Sequence, residues 1–149
     1  RLGRPPFGPG LDAVPLFPST LIAVCHPDLL QGPPSLATPQ DLAAQQLLQD
    51  AHGLWSRYLE QVFPDGAAPI PRMMNFSQTS LAIDAAIAGQ GIALANRAFV
   101  EADLQAGRLC QPFDITIEAE EGHFVVSPRR PRNQKLVTCV RDWMIAQVN

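Results

Sequence analysis

Hydroxyl, imidazole and carboxylate side chains that could carry chemistry are spread through the sequence without the spacing that catalysis needs. Ser77, His123 and Asp84 could be drawn as a catalytic triad. A serine nucleophile, however, sits on an elbow of the type GxSxG, and none of the serines has those neighbours. Helix capping is the commoner role for a residue such as Ser77. We therefore predict no catalytic residues and no enzyme activity.

Metal and cofactor chemistry has equally little support. The side chains that could hold a transition metal are His26, His52, His123, Cys25, Cys110 and Cys139. The histidines have no i, i+4 partner, and the cysteines show no CxxC spacing. The cysteines lie in apolar sequence, so we expect buried free thiols, and we predict neither a metal nor a cofactor.

Composition restricts the class of protein further. The chain has 149 residues, of which 46% are hydrophobic and 17% charged, a balance that fits one globular domain. Its net charge of −3 argues against a nucleic-acid-binding surface, because neutralising phosphates needs a basic patch. No apolar run approaches the roughly 18 to 20 residues that span a bilayer, and no signal-peptide pattern opens the chain. We expect a soluble cytoplasmic protein without membrane contact, and a fragment, since the first residue is not Met.

The stretch from Asn75 to Gly107 is the most informative part of the chain. It contains a strand end, a helix opened by hydroxyl residues, a Gly89-Gln90-Gly91 turn, a short apolar strand and a second helix. A dinucleotide site needs a strand before its glycines and a helix after them, and the order here is the reverse. The N-terminus of the helix after Ser77 would suit a small anion, although simple capping accounts for its hydroxyls equally well.

Alternating strand and helix patterns predict an α/β fold with a mainly parallel sheet. Residues 1–10 read as a loop, and residues 11–27 as two short strand-type runs interrupted at Pro15 and Pro18. Further strands are predicted at 21–24, 46–49, 72–76, 92–95, 108–112, 115–118 and 123–127. One short helix is predicted to start at Thr38. Four further helices are predicted at 53–63, 77–88, 97–106 and 136–148.

Several runs in this order resemble a known family. They are LFPSTLIAVCHPDLL, TPQDLAAQQLLQ, LWSRYLEQ, FSQTSLAIDAAIAGQGIALANRAFVEADLQAGRLCQPF and RDWMIAQ. Together they resemble the C-terminal effector-binding region of LysR-type transcriptional regulators, in the branch of the glycine-cleavage and β-lactamase activators.

The resemblance implies a type II periplasmic-binding-protein-like fold, in which two α/β subdomains are joined by two crossing strands. The crossings would fall near residues 18–21 and 120–124. Residues 19–121 would form the second regulatory subdomain, largely complete, and residues 1–18 and 122–149 would be remnants of the first.

The resemblance also implies a ligand site built from the residues Ser19, Thr20, Phe76, Ser77, Gln78, Thr79 and Phe124. Ser77, Gln78 and Thr79 would hydrogen-bond a small, anionic or amino-acid-like effector, and the two phenylalanines would pack against its apolar part. Packing in the protein core accounts for Phe76 and Phe124 equally well.

The family's N-terminal winged helix-turn-helix is absent from the sequence, so DNA would be a partner only through that missing segment. The missing part of the first subdomain would leave strand edges and the last helix uncovered, and this predicts a homodimer or tetramer. A solute-binding protein of a transport system, which has a similar fold, is the alternative function.

Overall fold

The computed structural model describes residues 2–66, 71–118 and 121–148, and the chain divides into two units. The smaller unit consists of Arg1–Ser19 and Glu118–Asn149, and the larger unit is Thr20–Ile117. Glu120, at the start of the predicted second crossing, lies outside the described residues. The assignment of the two units to regulatory subdomains stays a prediction.

Strands and helices alternate along most of the described chain. The strands are β1 (Leu2–Gly3), β2 (Leu11–Phe17), β3 (Thr20–Val24), β4 (Gln46–Gln49), β5 (Arg72–Asn75), β6 (Ile92–Asn96), β7 (Thr116–Glu118) and β8 (Gly122–Pro128). The α-helices are α1 (Trp55–Val62), α2 (Thr79–Ile87), α3 (Arg97–Gln105) and α4 (Gln134–Ala146), and two 3-10 helices cover Pro27–Leu30 and Pro39–Ala44.

The smaller unit is built on an antiparallel sheet in the order β1-β8-β2. Strand β2 runs through Pro15, which pairs with Phe124, and a register shift follows between Pro15 and Phe17. The predicted interruption at Pro15 is therefore wrong, whereas the one at Pro18 is confirmed, because β2 ends at Phe17 and β3 begins at Thr20. Proline is tolerated here because β2 is an edge strand of this sheet, in which only some of the backbone N–H groups are needed for pairing. The short β1 likewise lies inside the stretch predicted as a loop.

The larger unit holds a mixed sheet in the order β5-β4-β6-β3-β7. Strand β4 is parallel to both β5 and β6, whereas β3 is antiparallel to β6. The α/β class is confirmed, and β5, β4 and β6 are parallel as predicted, but β3 and the strands of the smaller sheet are antiparallel to their neighbours. An apolar run shows that a strand is buried, but it carries no information on the direction in which the strand runs. The predicted strand at 108–112 is reduced to an isolated bridge at Cys110.

Small side chains bring α2 close to this sheet. Ala82, Ala85 and Ala86 of α2 are buried in one apolar cluster with Ile22, Val24, Leu48 and Ala93 of the strands. Because an alanine side chain is a single methyl group, the helix backbone can approach the strands closely. The position of α2 is thus fixed by close packing against β3, β4 and β6.

The Gly89-Gln90-Gly91 turn reverses the chain between α2 and β6. Gly89 has a φ of 74° and donates its N–H to the Ala86 carbonyl, while Gln90 donates to the Ala85 carbonyl, both at 3.0 Å. This is the Schellman arrangement that ends a helix. A Cβ atom at Gly91 would fall on the backbone carbonyl oxygen of Gln46. The second glycine is therefore required by contact with β4.

We expect Gly91→Ala to destabilise the protein far more than Gly107→Ala, the matched control. Gly107 also has a positive φ, of 70°, but a Cβ there meets nothing within 4 Å. The control should lose about 1–2 kcal/mol from backbone strain, whereas Gly91→Ala adds backbone overpacking and should lose about 3 kcal/mol or more. Urea unfolding measures the free energy of unfolding of both variants. Equal losses in the two variants would contradict the contact with Gln46.

The predicted helix start at Thr38 is confirmed as a 3-10 helix rather than an α-helix. The Asp41 carboxylate accepts hydrogen bonds from the backbone N–H of Thr38 at 2.7 Å and of Ala37 at 2.9 Å. These two bonds, the one from Thr38 first, hold the pKa of Asp41 below its ordinary value of 3.8. The charged carboxylate is therefore the form that supports this turn.

We expect Asp41→Asn to lower the unfolding midpoint at neutral pH. A lowered pKa in the folded state contributes stability above the ordinary value of 3.8, and this contribution is lost as the pH falls through the folded-state pKa. The difference between the two proteins should therefore shrink in acid. Thermal unfolding of both proteins along a pH series checks this, and a difference that stays constant with pH would exclude the charge as its source.

Candidate functional site

One edge of the larger sheet carries five of the predicted ligand residues. Strands β4, β5 and β6 are parallel, so their carboxyl ends lie at the same edge. Strand β3 runs the other way, with Leu21 opposite Asn96, so Thr20 at its start lies at that edge too. Residues 76–79 follow the end of β5 and join it. Ligands bind at this edge in many α/β proteins.

Thr20 and residues 76–79 share this edge without forming one cluster. Strands β3 and β5 are separated by β4 and β6, which places their ends about 14 Å apart at the usual strand spacing. A small ligand bound against residues 76–79 would therefore lie over the ends of β4 and β5. The residue that follows β4 would therefore lie next to such a ligand.

The start of α2 differs in detail from the sequence prediction. Gln78 is the N-cap residue, in extended conformation, and its side chain makes no capping hydrogen bond within the described part of the chain. Ser77 stands one position before the cap, so it is not the helix-capping residue. Ser77 and Gln78 are both exposed, whereas Thr79 is half-buried. The polar side chains of residues 77 and 78 thus face solvent at the end of β5.

Asp50, which the sequence prediction missed, lies at the end of β4. The Thr79 hydroxyl donates to the Asp50 carboxylate at 2.5 Å, and the His52 N–H donates to the other carboxylate oxygen at 3.0 Å. This contact ties the start of α2 to the end of β4. It also places a carboxylate beside the N-terminus of α2, which was predicted from the sequence to suit a small anion. A polar residue directly after a predicted parallel strand was the signal that could have identified Asp50.

Phe76 and Phe124 both have packing partners within their own units. Phe76 is half-buried against the apolar cluster under α2, and its N–H donates to the Gln49 carbonyl at 2.8 Å. Phe124, in β8, packs edge-on against Phe7 with ring centroids 5.2 Å apart. Packing therefore accounts for both rings, and their contact with a ligand stays a prediction.

Ser19 and Thr20 fall on either side of the boundary between the units. Ser19 ends the first segment of the smaller unit, and Thr20 begins the larger one. Ser19 is buried, and Thr20 is half-buried. Of the seven predicted residues, Ser19 and Phe124 thus belong to the smaller unit and the other five to the larger.

The thiols are distributed differently from the prediction. Cys25 is buried, but Cys110 is half-buried and Cys139 is exposed, so the expectation of three buried thiols holds for Cys25 alone. Among residues 2–66, 71–118 and 121–148, no group of three or more histidine, cysteine, aspartate or glutamate side chains could hold a metal ion. No helix in the same ranges is long and apolar enough to cross a membrane.

The sequence of this chain matches a known family of domains. The family model described as LysR substrate binding domain matches residues 2–149. The chain belongs to this family. The predicted resemblance is therefore confirmed, and the transport alternative is not favoured, because the relatives found are regulators.

Two curated relatives of this LysR domain are transcriptional activators. It is 34% identical over 142 residues to the glycine cleavage system transcriptional activator of Escherichia coli K12, and 27% identical over 141 residues to the activator AmpR of Rhodobacter capsulatus. Each match covers 93% of this chain and 46% of the relative. The chain thus spans about half the length of the curated relatives that it matches.

The solved structures support the fold. The AmpR effector binding domain from Citrobacter freundii matches with a TM-score of 0.80 at 24% identity, over 99% of this chain and 72% of that one. The predicted type II periplasmic-binding-protein-like class is confirmed by such matches.

We expect Thr79→Val to destabilise the domain, while Thr79→Ser should leave its stability close to that of the wild type. Valine matches threonine in shape but removes the hydroxyl that donates to Asp50. A hydrogen bond to a charged group contributes about 1.5–3 kcal/mol, and partial exposure of the pair reduces this to about 1 kcal/mol. Urea unfolding of the three proteins measures it. Equal stability of the valine and serine variants would show that the contact contributes nothing.

Proposed function

We propose that this domain is the effector sensor of a LysR-type transcriptional regulator. The match of the family model to residues 2–149 carries the proposal. In the intact protein, a bound small molecule would favour one arrangement of the regulator and so change its action on DNA. The net charge of −3 argues against DNA contact by this domain itself, and the intact regulator would contact DNA through a winged helix-turn-helix. A regulator of this kind works in the cytoplasm, where the DNA is, and not as an enzyme.

The proposed ligand residues are the seven that were predicted from the sequence, together with Asp50. Ser77, Gln78 and Thr79 would hydrogen-bond the effector, with Phe76 against its apolar part. Thr20 would be a further polar contact only for an effector that extends across the ends of β4 and β6. Ser19 and Phe124 stay proposed contacts from the smaller unit, the first polar and the second apolar. Exposed polar side chains at the end of β5 support this assignment.

Asp50 narrows the chemistry of the proposed ligand. A carboxylate beside the α2 N-terminus repels a purely anionic molecule and attracts an ammonium group. A zwitterion, which carries both a carboxylate and an ammonium group, fits the helix end and Asp50 together. We therefore favour the amino-acid-like ligand over the purely anionic one. The name of the Escherichia coli relative, an activator of the glycine cleavage system, also concerns an amino acid.

Oligomer formation is the second part of the proposal. Helix α4 carries large exposed apolar side chains at Leu136, Val140, Trp143 and Met144, and Val148, two residues beyond the end of the helix, is exposed as well. Trp143 alone is 62% exposed. Apolar surface of this kind favours contact with other protein surface. We propose that the intact regulator is a homodimer or a tetramer.

Thermal-shift screening of the full-length protein against amino acids, their amides and simple carboxylates tests the ligand assignment. We expect an amino acid to raise the unfolding midpoint, and the matching carboxylate without an amino group to raise it less. Ser77→Ala and Asp50→Asn should each weaken binding about tenfold, since one hydrogen bond in such a site contributes about 1–2 kcal/mol.

Ser56→Ala is the matched control, because Ser56 is an exposed serine in the first turn of another helix, α1. It should leave binding and transcription unchanged. No shift with any compound, or wild-type affinity in both site variants, would contradict the proposed site. A reporter gene under the regulator's own promoter then shows whether the binding variants also lose the transcriptional response.

A further inference from the structure

Cys25 and Cys110 form a pair of thiols across two neighbouring backbone segments. Cys25 directly follows β3, and Cys110 lies between α3 and β7. Each donates its N–H to the carbonyl of the other, at 3.0 and 2.8 Å, in an antiparallel bridge. The two Sγ atoms are 3.8 Å apart. The fold thus brings together two thiols that are 85 residues apart in sequence.

This arrangement meets the geometric requirements of a disulfide. In an antiparallel pair that exchanges both backbone hydrogen bonds, the Cα atoms lie about 5.5 Å apart, inside the range of about 4.4–6.8 Å that a disulfide spans. The sulfur atoms must move from 3.8 Å to the bonding distance of about 2.05 Å. Rotation about the two χ1 angles brings the sulfur atoms together, and the Cβ atoms, which lie about 4.5–5.5 Å apart in a cross-strand pair, must also approach to the spacing of about 3.5–4.5 Å that a disulfide needs.

We propose that Cys25 and Cys110 are a reversible oxidation site, at which a peroxide converts the dithiol to an intramolecular disulfide. Cys110, the more exposed of the two, reacts first. Its sulfur attacks one peroxide oxygen, the O–O bond breaks, and water leaves as the sulfenic acid forms. The Cys25 sulfur then attacks the Cys110 sulfur, the S–O bond breaks, and a second water leaves with the Cys25 proton. One hydrogen peroxide is reduced to two waters, and two thiols are oxidised to one disulfide.

The surroundings of the pair slow its oxidation. Burial raises the pKa of the Cys25 thiol, and the neighbouring Cys110 raises it further. Burial also raises the pKa of the Cys110 thiol. Because the thiolate is the reactive form, both groups react slowly. Oxidation of the pair to a disulfide therefore requires prolonged exposure to the peroxide.

The disulfide would link the segments through which the chain enters and leaves the larger unit. Strand β3 begins at Thr20, the first residue of that unit, and β7 reaches its last residue, Ile117. A link between Cys25 and Cys110 closes a loop that contains most of the unit. Such a cross-link restricts the unfolded chain and stabilises the folded one.

The test uses the full chain with Cys139→Ser, which removes the third, exposed thiol and leaves the pair. After treatment with hydrogen peroxide, intact-mass spectrometry should show the loss of two hydrogen atoms, and N-ethylmaleimide should label neither remaining cysteine. Dithiothreitol should restore both the mass and the labelling. The thermal midpoint of the oxidised protein should rise by about 5 °C or more.

Cys110→Ala in the same background is the matched control, because it keeps a small side chain at a half-buried position. It should show no loss of two hydrogens and no rise of the midpoint. Gain of oxygen atoms without a cross-link in the Cys139→Ser protein would overturn the proposal. So would a fully reduced pair under conditions that oxidise Cys139 in the wild type.

Discussion

Close packing of α2 on the five-stranded sheet is the constraint on which the rest of the larger unit depends. The alanines of α2 let its backbone approach β3, β4 and β6. The same closeness appears at the turn after α2, where Gly91 lies against the Gln46 carbonyl and leaves no space for a side chain. Helix and strands can therefore shift only together, since a packed interior deforms little.

The polar edge of the sheet is a consequence of this packing. Because α2 is held against the strands, its first residue, Thr79, reaches Asp50 at the end of β4. The contact fixes the start of the helix relative to the strand and adds a negative charge at that point. A bound effector would meet an arrangement that is already formed, which lowers the entropy cost of binding. The preference for a zwitterion over a simple anion follows from Asp50.

The paired thiols show that the opposite end of β3 carries a different kind of chemistry. Thr20 at the start of this strand belongs to the polar edge, whereas Cys25 after its end faces Cys110 in a mostly buried bridge. One strand thus connects the proposed ligand edge with the proposed oxidation site. Both depend on β3 keeping its register against β6, in which Leu21 pairs with Asn96 and Val24 with Ala93.

The sequence by itself determined the class of fold, most of the helices and strands, and the family. Patterns of apolar residues are local, so α1, α2, α3 and β4 could be predicted with small errors at their ends. Its motifs also indicated residues 76–79, which are adjacent in the chain. Strand direction, the pairing of Cys25 with Cys110 and the contact between Thr79 and Asp50 were decided only by the tertiary structure. Each joins residues that are distant in sequence, and no local pattern records which distant segment becomes a neighbour when the core closes.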